Sequence, residues 1–82
     1  MIITVLYFAA VRDLVRASDE RLELPAGIVT IAGLAEHLTA RHPELAGRLG
    51  QVRFARNEEF CGPSEALADG DVIALIPPVA GG

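Results

Sequence analysis

Apolar and polar positions along this chain change period from segment to segment, and each period predicts an element. Residues 2–8, IITVLYF, run through β-branched, aliphatic and aromatic side chains without a breaker. Such a run predicts a strand that is apolar on both faces. It belongs at the centre of a sheet, or it keeps one face for a partner. AAVRDLVRA follows, with Val11, Leu14 and Val15 spaced for one short helical face. In ERLELP charge and leucine alternate, so Leu22 and Leu24 point inward and Pro25 ends the pairing.

The strongest helical signal starts at Thr30, a good N-cap residue. Ile31, Leu34, Ala35 and Leu38 recur at i, i+3, i+4 and i+7 as one apolar stripe, with Glu36, His37 and Arg41 on the other side. Pro43 opens a new short turn with Leu45 and Leu49 as its apolar contacts, and Gly50 stops it. QVRFAR alternates as a strand, NEE is turn material, FC resumes an extended stretch, and GPSEALADGD reads as a loop. Asp69-Gly70 launches the last strand, VIALI. The predicted order is strand, short helix, strand, long helix, strand, loop, strand. That is an α+β domain, a small mixed sheet wrapped on one main helix.

Eighty-two residues make a single domain, 1–82, near the size at which one core just suffices. Hydrophobic residues are 51% of the chain, too many for so small a body to hide, so an exposed apolar patch is expected. The formal charge of −4, with scattered acids, lacks the clustered cations of a nucleic-acid footprint and would be repelled by an anionic membrane. No apolar run has spanning length, and no charged region precedes the first hydrophobic run; a cytoplasmic location is expected. One cysteine, Cys61, rules out an internal disulfide and fits a reducing compartment. All seven cations are arginine. A GC-rich genome accounts for that; so would a chain that carries an activated acyl end and does better without amine nucleophiles.

Familiar catalytic constellations are absent. His37 and His42 are separated by five positions, have no further ligand set and read as solvated surface residues; a zinc site is not expected. Cys61 has no neighbouring base or second cysteine in sequence and reads as a small buried hydrophobe. Glu58-Glu59 and Asp69/Asp71 fall in predicted turns, where carboxylates are usually solvated. No phosphate loop occurs.

The chemistry is expected instead at residues 77–82, PPVAGG. Pro77 and Pro78 cannot extend the ladder and favour an extended polyproline conformation that holds the tail away from the body. Val79, Ala80, Gly81 and Gly82 then lose bulk step by step. Extended, the six residues reach at most about 20 Å. Glycine carries the largest ordering cost, so a Gly-Gly end makes sense where a partner's channel is too narrow for a Cβ. A terminal carboxylate in such a channel could be adenylated, and a sulfur donor could then replace the adenylate to leave a nucleophilic thiocarboxylate. An amine in place of sulfur would give an amide, the conjugation chemistry of ubiquitin.

VLYFAAVRDLV, ARNEEF and LADGDVIALIPPVAGG together resemble, from end to end, the small sulfur-carrying subunit of molybdopterin synthase, a ubiquitin-like β-grasp family. DGD or Gly-Gly alone is weak; DGDxxxxxPPVxGG closing a chain of this length is strong. The resemblance implies a non-catalytic carrier that binds no cofactor of its own. Two copies would bind a dimer of the large subunit as a heterotetramer, each threading its tail into an active site. Two sulfurs would pass in succession to a cyclic pterin phosphate precursor, making the dithiolene that holds molybdenum. Recharging would need an ATP-dependent activating enzyme and a sulfur donor protein. By position, Gly82 carries the sulfur, Gly81 permits passage, and Phe8, Phe60 and Ile76 form an apolar partner contact, with Pro77, Pro78, Val79 and Ala80 entering the partner with the tail. Phe8 and Ile76 are open to a second reading, as core. Leucine and isoleucine in ALIPP, and Ala80, depart from the common family form and would tune which large subunit fits. Three other readings stand beside it: a carrier for thiazole synthesis, a protein modifier ending in an isopeptide bond, and a plain binding module with an inert tail.

Overall fold

A computed structural model of the chain describes residues 1–78; Val79, Ala80, Gly81 and Gly82, with the roles expected of them, lie outside the described residues. The elements are β1 (Ile2–Tyr7), α1 (Ala9–Val15), β2 (Asp19–Glu23), α2 (Ile31–Arg41), a 3-10 turn (Pro43–Leu45), β3 (Arg53–Arg56), β4 (Glu59–Cys61) and β5 (Val72–Ile76). They form one five-stranded sheet in the order β2-β1-β5-β3-β4. Only β1 and β5 run parallel; the other three pairings are antiparallel. The α+β reading and the element order agree with the sequence pattern, except that the extended FC stretch is a strand in its own right.

The core lies between one face of the sheet and α2. Ile3, Val5 and Tyr7 of β1, Leu22 of β2 and Ile73 and Leu75 of β5 turn inward to meet Ile31, Leu34 and Leu38 of α2. The period of two in the strands and the i, i+3, i+7 spacing in the helix aim these side chains at one another. Thr30 caps α2 as expected, its hydroxyl accepting from the Gly33 N–H at 3.2 Å. Arg16 ends α1 in the left-handed region (φ 64°), its N–H donating to the Arg12 carbonyl.

Three expectations change. His37, on α2, is half-buried rather than solvated. His42 is half-buried rather than solvated: its Nε2 lies 2.6 Å from Glu20 Oε1, and its ring meets Tyr7 edge-on. Tyr7 donates to the same oxygen at 2.6 Å, and Arg41 Nε donates to Glu20 Oε2 at 3.0 Å. Glu20 thereby ties the C-terminal end of α2 to β1 and β2. Asp71 is buried rather than solvated, for reasons that bear on the site.

Candidate docking face and carrier tail

Among the described residues, no helix lies over the second face of the sheet. Strand register decides what stands there, because residues directly opposite in a ladder share a face. One row runs Phe60–Ala55–Ala74–Leu6 across β4, β3, β5 and β1. The next pairs Arg53 with Ile76, and Phe8 follows β1 just beyond the Tyr7–Leu75 pair. Two alanines thus form the floor, with larger apolar side chains around them. The result is a depression of about 550 Å³ lined by Leu6, Phe8, Ala55, Asn57, Glu58, Phe60, Val72, Ala74 and Ile76.

Three residues singled out in sequence, Phe8, Phe60 and Ile76, therefore meet at one site. Phe60 is 56% exposed and Phe8 44%, while Ile76 is half-buried. None of the three belongs to the buried core, which closes the core reading of Phe8 and Ile76. Exposed aromatics around a concave apolar floor have the composition of a protein-binding patch. Sequence reasoning did not identify Leu6, Ala55, Val72 or Ala74. Alternation within IITVLYF carries a signal for Leu6, but the alanine floor follows only from strand order.

Turn chemistry holds the dish in shape. Asn57 and Glu58 have φ of 50° and 73°, the paired positive values of a tight two-residue hairpin between β3 and β4. The Asn57 side chain donates to Asp71 Oδ1 and accepts from the Val72 N–H, both at 3.0 Å. Asp71 Oδ2 accepts from the Ala68 N–H at 2.8 Å. Gly70 supplies φ 87°, and Asp69 Oδ1 accepts from the Ile2 N–H at 2.7 Å. Each polar residue of ADGD thus performs a structural task, sewing the hairpin and β1 to the start of β5.

At the other end of β5 the tail begins. Pro78 is exposed, but Pro77 is half-buried. Both line a groove with Val11, Leu14, Leu45, Leu49 and Val52. The expectation that the proline pair holds the tail off the body is therefore corrected for Pro77, which seats the tail's base against α1 and the segment after α2.

Titratable groups show no catalytic arrangement around the dish. Burial acts to raise the Glu20 carboxyl, but hydrogen bonds from Tyr7, His42 and Arg41 outweigh it and hold Glu20 below the usual carboxylate range. Burial, then the hydrogen bond and charge of Glu20, push the Tyr7 phenol far above its ordinary value. Cys61 is half-buried, with its Sγ 3.5 Å from the Phe54 carbonyl. Burial and the nearby Glu65 charge raise its thiol, against Arg56. That keeps it a thiol at neutral pH. Among the described residues, no group of three or more His, Cys, Asp and Glu could hold a metal ion, and no helix is long and apolar enough to cross a membrane.

The ThiS family profile matches residues 5–82. A molybdopterin synthase sulfur carrier subunit of Chlamydomonas reinhardtii is 42% identical, the match covering all of both chains. Among solved structures, SAMP1 of Haloferax volcanii superposes with a TM-score of 0.88 at 28% identity, again over all of both chains. A chain of the complex of subunits 1 and 2 of the molybdopterin-converting factor of Helicobacter pylori superposes with a TM-score of 0.71 at 25% identity, over all of both chains. These likenesses give the fold as ubiquitin-like.

Proposed function

The chain belongs to the ThiS family, grouping with molybdopterin synthase sulfur carrier subunits, and from that membership we propose that it delivers sulfur for the molybdenum cofactor. The observation that carries the reading is the meeting of Phe8, Phe60 and Ile76 around an apolar dish on the strand that leads into the tail. A carrier needs a docking surface fixed relative to its reactive end, and β5 supplies both.

In this reading the dish receives the large molybdopterin synthase subunit, and Pro77–Gly82 enters that subunit's active site. The Gly82 carboxylate first attacks ATP in the activating enzyme, giving an acyl-adenylate and pyrophosphate. Sulfide-level sulfur delivered by a donor protein attacks the acyl carbon, expels AMP and leaves the thiocarboxylate. The terminal sulfur then forms a C–S bond at a carbon of the cyclic pterin phosphate precursor as a C–O bond there breaks, the oxygen leaving with the electron pair. Water releases the new thiolate and restores the Gly82 carboxylate, so a dithiolene consumes two charged carriers. This chain contributes no acid, base or metal; it contributes the nucleophile and its placement. Gly81 lets the backbone pass a constriction that a Cβ would block.

Intact mass after incubation with the activating enzyme, ATP and a sulfur donor tests the reading. Exchange of one oxygen for one sulfur, mapped to Gly82, is expected. Removal of Gly81 and Gly82 is expected to abolish molybdenum cofactor synthesis while the domain stays folded; normal cofactor in that strain sinks the carrier assignment. The likeness to SAMP1, a small archaeal modifier protein, favours a second reading, in which the activated Gly82 acylates lysines of target proteins. High-mass conjugates that resist denaturation and carry a Gly82 isopeptide would establish it.

A further inference from the structure

The rim of the dish carries a cation that neither the core nor an ion pair accounts for. Arg53 pairs with Ile76 across β3 and β5, so its side chain leaves the sheet on the docking side. Its guanidinium carbon lies 3.7 Å from the centroid of the Phe60 ring. Stacking of this kind covers one face of the planar guanidinium and leaves its N–H edge free. Arg41 and Arg56 are held by Glu20 and Glu65, whereas no carboxylate lies within ion-pair distance of Arg53 among the described residues. The charged residue lining the dish itself is Glu58, at the hairpin end, while β2 places Asp19, Arg21 and Glu23 at the far edge of the same face, opposite Leu6, Thr4 and Ile2. Arg53 and Glu58 thus put opposite charges at the two ends of the dish.

We infer that Arg53 is a specificity-determining residue of the docking face, held by the Phe60 ring in position to pair with a carboxylate of the large subunit. The inference rests on the docking role of the dish and adds the chemistry of its rim. Because the ring already orders the guanidinium, less side-chain freedom is lost when the partner carboxylate arrives. A cation at one end and an anion at the other also reject a partner docked the wrong way round.

The test is affinity for the large subunit, measured by calorimetry at low and high sodium chloride, with each variant's fold checked by circular dichroism. Arg53→Met keeps a long side chain over the ring but loses the charge; it is expected to weaken binding about tenfold at low salt and to flatten the salt dependence. Arg53→Glu is expected to bind about a hundredfold more weakly at low salt and to recover partly as salt rises. Arg53→Lys, which keeps charge but loses the planar fork, should fall between wild type and Met. Wild-type affinity and salt dependence in the Met and Glu variants would overturn the assignment and leave Arg53 as a cover for Phe60. Phe60→Ala separates the two readings. If it abolishes binding while the Arg53 variants do not, only the Arg53 assignment fails; if it binds like wild type, docking through the dish fails first.

Discussion

Asp71→Ala should be among the most costly single changes outside the apolar core. The carboxylate is 8% exposed and receives two hydrogen bonds, from the Ala68 N–H at 2.8 Å and the Asn57 side-chain amide at 3.0 Å. Hydrogen bonds to a charged acceptor contribute about 1.5–3 kcal/mol each. Water can reach part of this turn, so the lower end applies, and the pair is worth about 3 kcal/mol. A domain of this length has a total stability of about 4–12 kcal/mol, so the loss is a large fraction. At about 4–8 °C per kcal/mol, the melting temperature should fall by about 15 °C. Asp71→Asn, which keeps one acceptor oxygen for two donors, should lose about half as much. Thermal and urea unfolding followed by circular dichroism are the assays. An Asp71→Ala protein melting within about 4 °C of wild type would refute the account of the turn as a stitch. The functional consequence is indirect: Asn57 loses its bond to Asp71 and keeps only those to Val72, so the hairpin that carries Phe60 is held less firmly and affinity for the large subunit should drop even below the melting range.

Other outcomes follow from the same geometry. Ala74→Leu fills the floor of the dish from its solvent side, so it should weaken docking about tenfold or more with little change in melting temperature, as calorimetry with the large subunit would show. Glu20 sits below its ordinary value near 4.5 when folded. Its contribution to stability is therefore present above that value and lost as pH falls through the folded pKa, so Glu20→Gln should shallow the acid limb of a stability–pH profile. Tyr7 is raised above its ordinary 10.0, the opposite sign: its contribution holds below that value and is lost at higher pH. Tyr7→Phe should remove the alkaline loss and cost about 1 kcal/mol at neutrality. Cys61→Ser should still support sulfur transfer, since the travelling sulfur is not a side-chain thiol; loss of transfer in a folded variant would reverse that.

The pattern of apolar positions made most of the fold legible because local period and tertiary role coincide. The stripe Ile31, Leu34, Leu38 has one place to go once a sheet exists to receive it, and all three are buried. β1 was harder. Its apolar residues on both faces left a central position and a reserved face as alternatives; it is central, between β2 and β5, and its outer residues Leu6 and Phe8 open onto the dish. The three-residue β4 was read only as an extended stretch, since too few positions exist to establish a period of two. Asp71 and His42 misled for one reason. Composition places polar residues at the surface, but a carboxylate with two donors, or an imidazole against Glu20, satisfies its polarity inside. Of the dish, Phe8, Phe60 and Ile76 were singled out through a resemblance. The alanine floor and the Arg53 stack were not, because both depend on which strands are neighbours.

Strand order also explains how docking and delivery can be one event. β5 is central, held by β1 on one side and β3 on the other, with Ile73 and Leu75 fully buried beneath it. Its outward residues Ala74 and Ile76 form part of the dish, and the next residue, Pro77, is wedged against α1 and the loop before β3. Sliding β5 by one residue would exchange its buried and exposed side chains, so its register cannot drift when the outer face is gripped. A partner that closes on Phe8, Phe60 and Ile76 therefore fixes where the chain leaves the body. The six residues of PPVAGG then set the depth reached, at most about 20 Å. Lengthening the tail by one glycine after Pro78 should leave affinity nearly unchanged but slow sulfur transfer, because the nucleophile overshoots while the dish does not. Equal transfer rates for the lengthened and native tails would mean that the channel, not the docked domain, positions Gly82.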